Sequence, residues 1–189
     1  MRIKKAVVAL ATVGLMATGL FAASPAHAGP TPETTSASSS TLGVLNGEVI
    51  DLSTDEHDAK VCMEENGKPF RCYDDVEEYR TAVGLPPGNV ETLNKSDCSD
   101  GFLCLWDNAQ FKVSLVQVRG QGTYNVPQDK ANSLWNRTDR PAQIIDVRSW
   151  QPDHTMSFGP GAERADLGAL STPWNNRVDK VRICPETGC

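Results

Sequence analysis

The sequence has little of what enzymes use for catalysis. Only three histidines occur in 189 residues, and no G-x-S-x-G, H-E-x-x-H or phosphate-loop motif is present. Hydrolysis usually depends on an activated nucleophile or on paired carboxylates held by a rigid frame. The sequence shows a motif for neither. We therefore predict that the protein is not an enzyme.

Long apolar runs are also scarce, and the only one is typical of a secretory signal. Basic residues at positions 2, 4 and 5 precede a weakly apolar stretch at 6–23, and Ala26-His27-Ala28 matches a small-x-small cleavage site. The alternative is an uncleaved membrane anchor, but the segment is less apolar than membrane helices of about 20 residues are. The sequence predicts a signal peptide at 1–28, secretion to the extracellular space and no membrane contact after cleavage.

Basic residues are outnumbered by acidic ones. The chain has 18 Lys and Arg against 24 Asp and Glu, and residues 1–28 hold three of the basic and none of the acidic residues. Cleavage leaves 15 against 24, a net charge of −9. Such a surface repels phosphate backbones and anionic lipids, so we expect no nucleic-acid partner and a soluble monomer.

Six cysteines follow the predicted signal, and they predict disulfides. An even count in a small secreted protein favours bridges, whereas a zinc site would need a spacing such as C-x-x-C, which is missing. Six cysteines allow 15 pairings. The short spacings favour three local ones, which are Cys62–Cys72, Cys98–Cys104 and Cys184–Cys189.

Two segments precede the main domain. Residues 29–46 start with a Pro-, Thr- and Ser-rich run and are predicted to be a disordered leader. Residues 47–95 are predicted to form a small hairpin–helix unit of their own. In it, Asn66-Gly67 favours a tight hairpin that places Cys62 opposite Cys72, and Gly84 ends a helix capped near residue 75.

The segment 96–189 has the pattern of an all-β domain. Apolar runs at 102–106, 114–119, 143–149 and 178–184 alternate with Gly- and Pro-containing turns, which predicts about eight strands in two halves. A 47-residue repeat supports the two halves. Phe111 is followed after 17 residues by the polar hexad 128–133, and Phe158 by the hexad 175–180.

The same motifs resemble a known family. Trp106 and Phe111, followed by a D-K-x-x-S turn, resemble the βγ-crystallin Greek key. The stretches Cys98-x5-Cys104-Leu-Trp and Trp174-Asn-Asn-Arg-Val are similar to the secreted actinobacterial peptidase-inhibitor family of the Streptomyces metalloproteinase inhibitor type. The resemblance implies an all-β, two-Greek-key βγ-crystallin-like sandwich behind the small N-terminal hairpin–helix extension. It also implies inhibition of an extracellular protease, in particular a metalloprotease, by loop docking.

Docking on a protease requires a preorganised loop. The segments 119–123 and 148–159 are the candidates, and we favour the second because it is longer and contains Trp150, an anchor type that dominates small interfaces. No cysteine between Cys104 and Cys184 is available to bridge it. The candidate loop residues are Arg148, Trp150, Asp153, His154, Met156 and Phe158.

Calcium binding is an alternative hypothesis for the two hexads. Their oxygen donors suit a hard cation, and the candidate ligands are Gln128, Asp129, Ser133, Asn175, Asn176 and Asp179. Lys180 stands where calcium-binding crystallin turns have a hydroxyl, and Asn and Asp also stabilise turns by bonding their own backbone. We predict no cofactor, with calcium as the alternative. The protein would then be a non-inhibitory calcium-binding or structural crystallin module at the cell surface.

Carbohydrate or cell-wall binding is a third hypothesis, because exposed aromatic rings can form a sugar platform. We favour core packing for most of the rings, since they recur at repeat-equivalent or strand positions, and we expect only Trp150 to be exposed. The rings concerned are Trp106, Phe111, Trp135, Phe158 and Trp174.

The predicted export can be tested on the protein released by a secreting host. N-terminal sequencing should start at Gly29. Ala28→Arg should block this cleavage because the site requires small residues, whereas His27→Gln, at the tolerant central position, should not. An N-terminus at Met1 on the exported chain would contradict the prediction.

Overall fold

The computed structural model of the chain describes residues 42–52, 58–88, 92–126 and 131–189. The predicted signal peptide 1–28 and residues 29–41 of the predicted leader lie outside these ranges. The described residues form twelve strands in two sheets, one α-helix and one 3-10 helix. Neither helix is long and apolar enough to cross a membrane.

The larger sheet has eight strands, and its spatial order differs from the chain order. From edge to edge the strands are β11 (Glu163–Arg164), β8 (Ser133–Asn136), β5 (Leu103–Asn108), β6 (Lys112–Arg119), β3 (Val61–Glu65), β4 (Phe70–Tyr73), β1 (Leu42–Leu45) and β2 (Glu48–Asp51). Helix α1 (Val76–Val83) and the 3-10 helix (Lys95–Asp97) are the two helical segments.

The smaller sheet has four strands. In spatial order they are β10 (His154–Phe158), β9 (Ala142–Asp146), β12 (Lys180–Ile183) and β7 (Gly122–Asn125). All three pairings in this sheet are antiparallel.

The strand order shows two Greek keys that exchange one strand each. In a Greek key the fourth strand returns beside the first, in the order 4-1-2-3. Strands β5 to β8 follow the order β8-β5-β6, and their third strand, β7, lies in the smaller sheet. Strands β9 to β12 follow β12-β9-β10, and their third strand, β11, lies in the larger sheet. The predicted all-β, two-Greek-key architecture is confirmed.

Two apolar clusters hold these layers together. The first lies between the sheets and draws on both, for example Leu105 and Leu134 from the larger sheet and Ile144 and Val181 from the smaller. The second lies on the other face of the larger sheet, where Tyr79 of α1 packs over it. Buried residues alternate with exposed ones along a half-covered strand, but Leu103, Cys104, Leu105 and Trp106 are all buried because both faces of β5 are covered.

The prediction that 47–95 forms a separate unit is wrong. Strand β3 pairs in parallel with β6, from Val61 opposite Leu115 to Glu65 opposite Arg119, so the extension continues the larger sheet. The leader boundary is also wrong, because residues 42–45 form β1, which pairs with β2 and β4. Parallel pairing of distant segments has no local sequence signal, and this is why both boundaries were missed.

The local predictions within the extension are confirmed. Cys62 lies opposite Cys72 in the β3–β4 hairpin, and Asn66 and Gly67 both have the positive φ that such turns require. Asp75 caps α1 by accepting a hydrogen bond from the Glu78 N–H at 2.8 Å. Gly84 ends the helix in the left-handed conformation.

The three disulfides pair as the spacings predict. Cys62–Cys72 joins β3 to β4, Cys98–Cys104 joins the end of the 3-10 helix to β5, and Cys184–Cys189 closes the segment after β12.

The internal repeat is confirmed for the last residue of each hexad and wrong for the aromatic residues. The hexads end at Ser133 and Lys180, the first residues of the equivalent strands β8 and β12. Phe111 lies in the turn between β5 and β6, whereas Phe158 is the last residue of β10. The equal spacing of the two phenylalanines therefore does not reflect equivalent positions.

A buried polar network joins α1 to the Greek-key domain. Arg80 of α1 donates two hydrogen bonds to the Asp97 carboxylate, at 2.7 and 3.0 Å. The Tyr79 hydroxyl donates to the Asp97 carbonyl at 2.6 Å and accepts from Gln117 of β6 at 2.7 Å. Ser99 N–H donates to the Gln117 carbonyl oxygen at 2.8 Å.

Glu64 is a buried carboxyl group whose Oε2 has no hydrogen-bond partner. Its side chain faces the interior of the sandwich, on the same face of β3 as Cys62. Burial raises the pKa of Glu64 from 4.5 to about 7. Burial and then the nearby Glu64 charge raise the pKa of Tyr124 to about 12.

The raised pKa of Glu64 predicts a pH-dependent stability. The native state holds the Glu64 proton more tightly than the unfolded chain, so the free energy of unfolding falls as the pH rises from about 4.5 to about 7. At about 1.4 kcal/mol per pKa unit the loss is at most about 3 kcal/mol. Glu64→Gln should remove this component, and urea unfolding at the two ends of the range measures it.

Glu65→Gln is the matched control because Glu65 is the next residue on β3 and lies on the opposite, more exposed face. The free energy of unfolding of the Glu65→Gln variant should depend on pH in the same way as that of the parent protein. Equal pH dependence of the Glu64→Gln variant and the parent protein would contradict the prediction.

Candidate functional site

The hairpin between β9 and β10 carries the most exposed aromatic side chain among the described residues. His154 lies opposite Asp146 at the end of this pairing, so residues 147–153 form the connecting loop, here called the Trp150 loop. Trp150 is 97% exposed. The loop is shorter than the predicted 148–159 because 154–158 form strand β10.

The candidate loop residues therefore fall into two groups. Arg148, Trp150 and Asp153 lie in the Trp150 loop. Met156 and Phe158 pack against the core from β10, Phe158 with only 4% exposure. His154 stacks on the buried Trp174 at a centroid distance of 4.5 Å. The second candidate, 119–123, is not a long loop, because only residues 120 and 121 separate β6 from β7.

Asp146 is the centre of a charged brace at the base of the Trp150 loop. Its Oδ2 accepts hydrogen bonds from Arg148 Nε and Nη2 at 3.2 and 3.1 Å and from Arg177 Nη2 at 2.6 Å. Burial alone would raise the pKa of Asp146, but the hydrogen bonds and charges of Arg148 and Arg177 together lower it below its ordinary value. The carboxylate is thus ionised whenever ordinary aspartates are.

Two backbone contacts complete the brace. The Val147 N–H donates to Asp179 Oδ2 at 2.5 Å, and the Arg148 N–H donates to Asp153 Oδ1 at 3.1 Å. The first contact fixes the loop to the segment before β12, and the second closes the loop on itself. The sequence hypothesis missed Asp146 and Arg177 because they are 31 residues apart. The only local signal was that Asp146 and Arg148 occupy alternate positions at the end of a strand, and hence one face.

Three of the candidate calcium ligands, which are Ser133, Asn176 and Asp179, are engaged in other contacts. Ser133 Oγ donates to the Asn108 carbonyl at 2.7 Å and accepts from the Phe111 N–H at 3.1 Å. Asn176 Oδ1 accepts from Asn132 Nδ2 at 3.0 Å, and Asn175 is exposed at the surface. Gln128 and Asp129 lie outside the described residues.

The second hexad combines one carboxylate with two cations, Arg177 and Lys180. Asp179, its only carboxylate, holds the Val147 amide, and Lys180 brings a cation to the turn. Hard cations prefer several convergent oxygens. Within the described ranges no three His, Cys, Asp or Glu side chains are placed to share a metal ion.

The aromatic residues pack as the sequence predicts. Trp106, Phe111, Phe158 and Trp174 are buried, and Trp106 contacts Phe111 edge to face at 5.1 Å. Trp135 is partly covered by the Lys95 and Arg137 side chains. With four of the five rings in the core, the described residues offer no aromatic platform around Trp150 for a sugar.

The fold and the site define a class of protein. The protein is a disulfide-bridged β-sandwich that presents one braced loop with the exposed Trp150. Residues 91–157 match the model of peptidase inhibitor family I36. The match confirms the predicted resemblance to this family, which is one of non-enzymatic inhibitors whose partner is a protease.

Solved βγ-crystallin domains are similar to part of the chain. One, from work on the evolution of the eye lens βγ-crystallin domain fold, has a TM-score of 0.38 and 14% identity over 46% of this chain and 87% of its own. The NMR structure of Hahellin, a βγ-crystallin, has a TM-score of 0.35 and 16% identity, covering 46% of this chain and 93% of its own. A double mutant of a βγ-crystallin domain from Clostridium beijerinckii has a TM-score of 0.35 and 12% identity, covering 44% and 96%. No curated protein matches the chain.

The brace predicts that Asp146→Asn loosens the Trp150 loop at neutral pH. The amide keeps the shape but loses the charge that the two arginines bind, so the Val147 and Arg148 amides should exchange with deuterium about tenfold faster, which corresponds to about 1.4 kcal/mol. In the parent protein the lowered pKa keeps the brace intact above about pH 4. The brace should be lost as the pH falls further, through the native pKa of Asp146.

Asp139→Asn is the control, because Asp139 is an exposed acid in another turn that lies 3.8 Å from Arg140. It should leave exchange in the Trp150 loop unchanged. Unchanged exchange in the Asp146→Asn variant would show that the loop is held by other contacts.

Proposed function

We propose that the protein is a secreted inhibitor that docks the Trp150 loop on an extracellular protease. The observation that carries the proposal is the full exposure of Trp150 on a loop whose base is held by ion pairs. Large apolar side chains in water mark interaction sites when they are presented together, and Val147 of the same loop is also exposed. Tryptophan is the residue type most enriched at the energetic centres of interfaces.

The brace supports inhibition because binding costs conformational entropy. A flexible loop loses freedom when it docks, at about 0.5–1.5 kcal/mol per immobilised side chain, and a preorganised loop avoids part of this cost. Asp146, Arg148 and Asp153 hold the two ends of the loop together. The brace therefore supplies the rigidity that a bridged inhibitor loop obtains from a disulfide.

The family match supports a protease as the partner. The matched segment 91–157 includes the whole Trp150 loop and both strands that flank it, except for Phe158. Secretion is supported by the predicted signal and by three disulfides, which persist in oxidising compartments. We favour a metalloprotease as the target, from the resemblance to the Streptomyces inhibitor, and a monomer as the active form.

Trp150→Ala tests this function. The exported protein is titrated against thermolysin-like and subtilisin-like proteases, and the inhibition constant of the variant should rise about thirtyfold, which corresponds to about 2 kcal/mol. The melting temperature should not change because the Trp150 side chain has no core contact. Val49→Ala is the control for loss of an exposed apolar side chain elsewhere, and it should inhibit normally.

The same titration separates the alternatives. A structural or calcium-binding module would inhibit neither class of protease, and absence of inhibition by the parent protein at concentrations of about 10 μM would overturn the proposal. We also propose that inhibition needs no calcium, since the Asp179 carboxylate holds the Val147 amide. Equal inhibition constants in calcium and in chelator are therefore expected.

A further inference from the structure

A cleft on the outer face of the larger sheet combines an apolar floor with charged walls. Its volume is about 540 Å³, within the range of small-ligand and peptide pockets. Met63 of β3, Val83 of α1 and Leu85 form part of the floor, and each is partly exposed. Ser99, Phe102 and Arg119 of the Greek-key domain also line the cleft, so it lies at the junction between the extension and that domain.

Two of the cations that line the cleft are uncompensated. Among the described residues, Lys68 and Arg71 have no carboxylate partner. The other charges of the cleft are paired, since Arg119 lies 3.6 Å from Glu65 and Asp100 pairs with Arg137 outside the cleft. A net positive cleft is unusual in a chain of charge −6, and it favours a ligand that carries a negative charge.

The apolar surface continues from the cleft across two further strands. One row of residues runs across strands β3, β4, β1 and β2, and each residue is directly paired with the next. The row contains Met63, Arg71, Val44 and Val49. Paired residues point to the same face of a sheet. Val44 and Val49 are 36% and 70% exposed, and neighbouring strands are about 4.8 Å apart, so the strip extends about 10 Å beyond Arg71.

We propose that this cleft and strip bind an extended peptide through its C-terminal carboxylate. Lys68 and Arg71 receive the carboxylate, with Arg71 able to bind both oxygens. The apolar side chain of the last residue lies on Met63, Val83 and Leu85. Upstream apolar residues of the peptide cover Val44 and Val49, which a small carboxylate could not reach. The site lies on the larger sheet, and its existence does not depend on the function of the Trp150 loop.

The test uses the exported protein with three probes, which are an acetylated pentapeptide of alternating valine and alanine ending in phenylalanine, its C-terminal amide, and N-acetylphenylalanine. Binding is followed by the NMR shift of the Met63 methyl group. The free acid should bind at least tenfold more tightly than the amide, because only the acid has the terminal charge. The peptide should also bind more tightly than N-acetylphenylalanine.

Two sets of variants separate the contribution of the two cations to binding from that of the apolar strip. Combined Lys68→Gln and Arg71→Gln should lower the affinity for the free acid about tenfold and leave that for the amide unchanged. Lys112→Gln, which removes an exposed cation from the start of β6, should have no effect. Val49→Ser should weaken the peptide and not N-acetylphenylalanine.

The proposal is overturned by equal affinities of the acid and the amide, or by the absence of a Met63 shift at about 10 mM peptide. Equal affinities of the peptide and N-acetylphenylalanine would overturn the part that assigns a peptide. Protease inhibition by the same variants is expected to be normal, so the failure of one proposal leaves the other standing.

Discussion

The buried ion pair between Arg80 and Asp97 is the contact on which the layered arrangement depends. Both side chains are almost fully excluded from water, and a buried charge without its partner destabilises a protein by about 3–5 kcal/mol. The hydrogen bond to Asp97 raises the pKa of Arg80 further above its ordinary value. Asp97 also accepts from the Asn94 N–H at 2.8 Å, which caps the 3-10 helix. One carboxylate thus orders the helix, the segment before β5 and the arginine together.

The chain after α1 passes close to the Arg80 guanidinium at Gly88. A Cβ atom at Gly88 would lie 2.3 Å from the Arg80 guanidinium, so a larger residue at this position would displace the guanidinium from its place beside Asp97. The tyrosine beside Arg80 continues the network to Gln117 on β6. Because the extension contributes α1 and β3 to this assembly, its removal would expose the apolar cluster around Tyr79 and leave β6 as an open sheet edge.

The features that could be predicted from the sequence are those fixed by neighbouring residues. The Cys62–Cys72 register follows from the Asn66-Gly67 turn, and the ends of α1 follow from Asp75 and Gly84, all within a few residues of what they determine. The pairing of β3 with β6 joins residues about 54 apart, such as Val61 and Leu115, and arises from tertiary packing. The predicted equivalence of Phe111 and Phe158 was wrong because equal spacing along the chain does not imply equal places in a hairpin.

For the candidate site, the sequence predicted the exposed residue but not the contacts that hold it. Trp150 was identified because an aromatic residue between turn residues has no repeat partner, and its exposure is confirmed. Its support was missed because Arg177 and Asp179, which lie in the second hexad, are 31 and 32 residues from their partners Asp146 and Val147 along the chain. In the structure that hexad holds the base of the Trp150 loop, with Arg177 on Asp146 and Asp179 on the Val147 amide.

The positions of the disulfides have a physical consequence for the Trp150 loop. The three disulfides lie in the extension, at the start of β5 and after β12, and none spans residues 147–153. A covalent bridge constrains a loop at any pH, whereas the brace at Asp146 consists of half-exposed arginines around a carboxylate, and salt and acid weaken such pairs. The rigidity of the Trp150 loop is thus conditional on its solution environment. A loop held in this way can loosen without unfolding the domain, because the brace contributes no side chain to either apolar cluster.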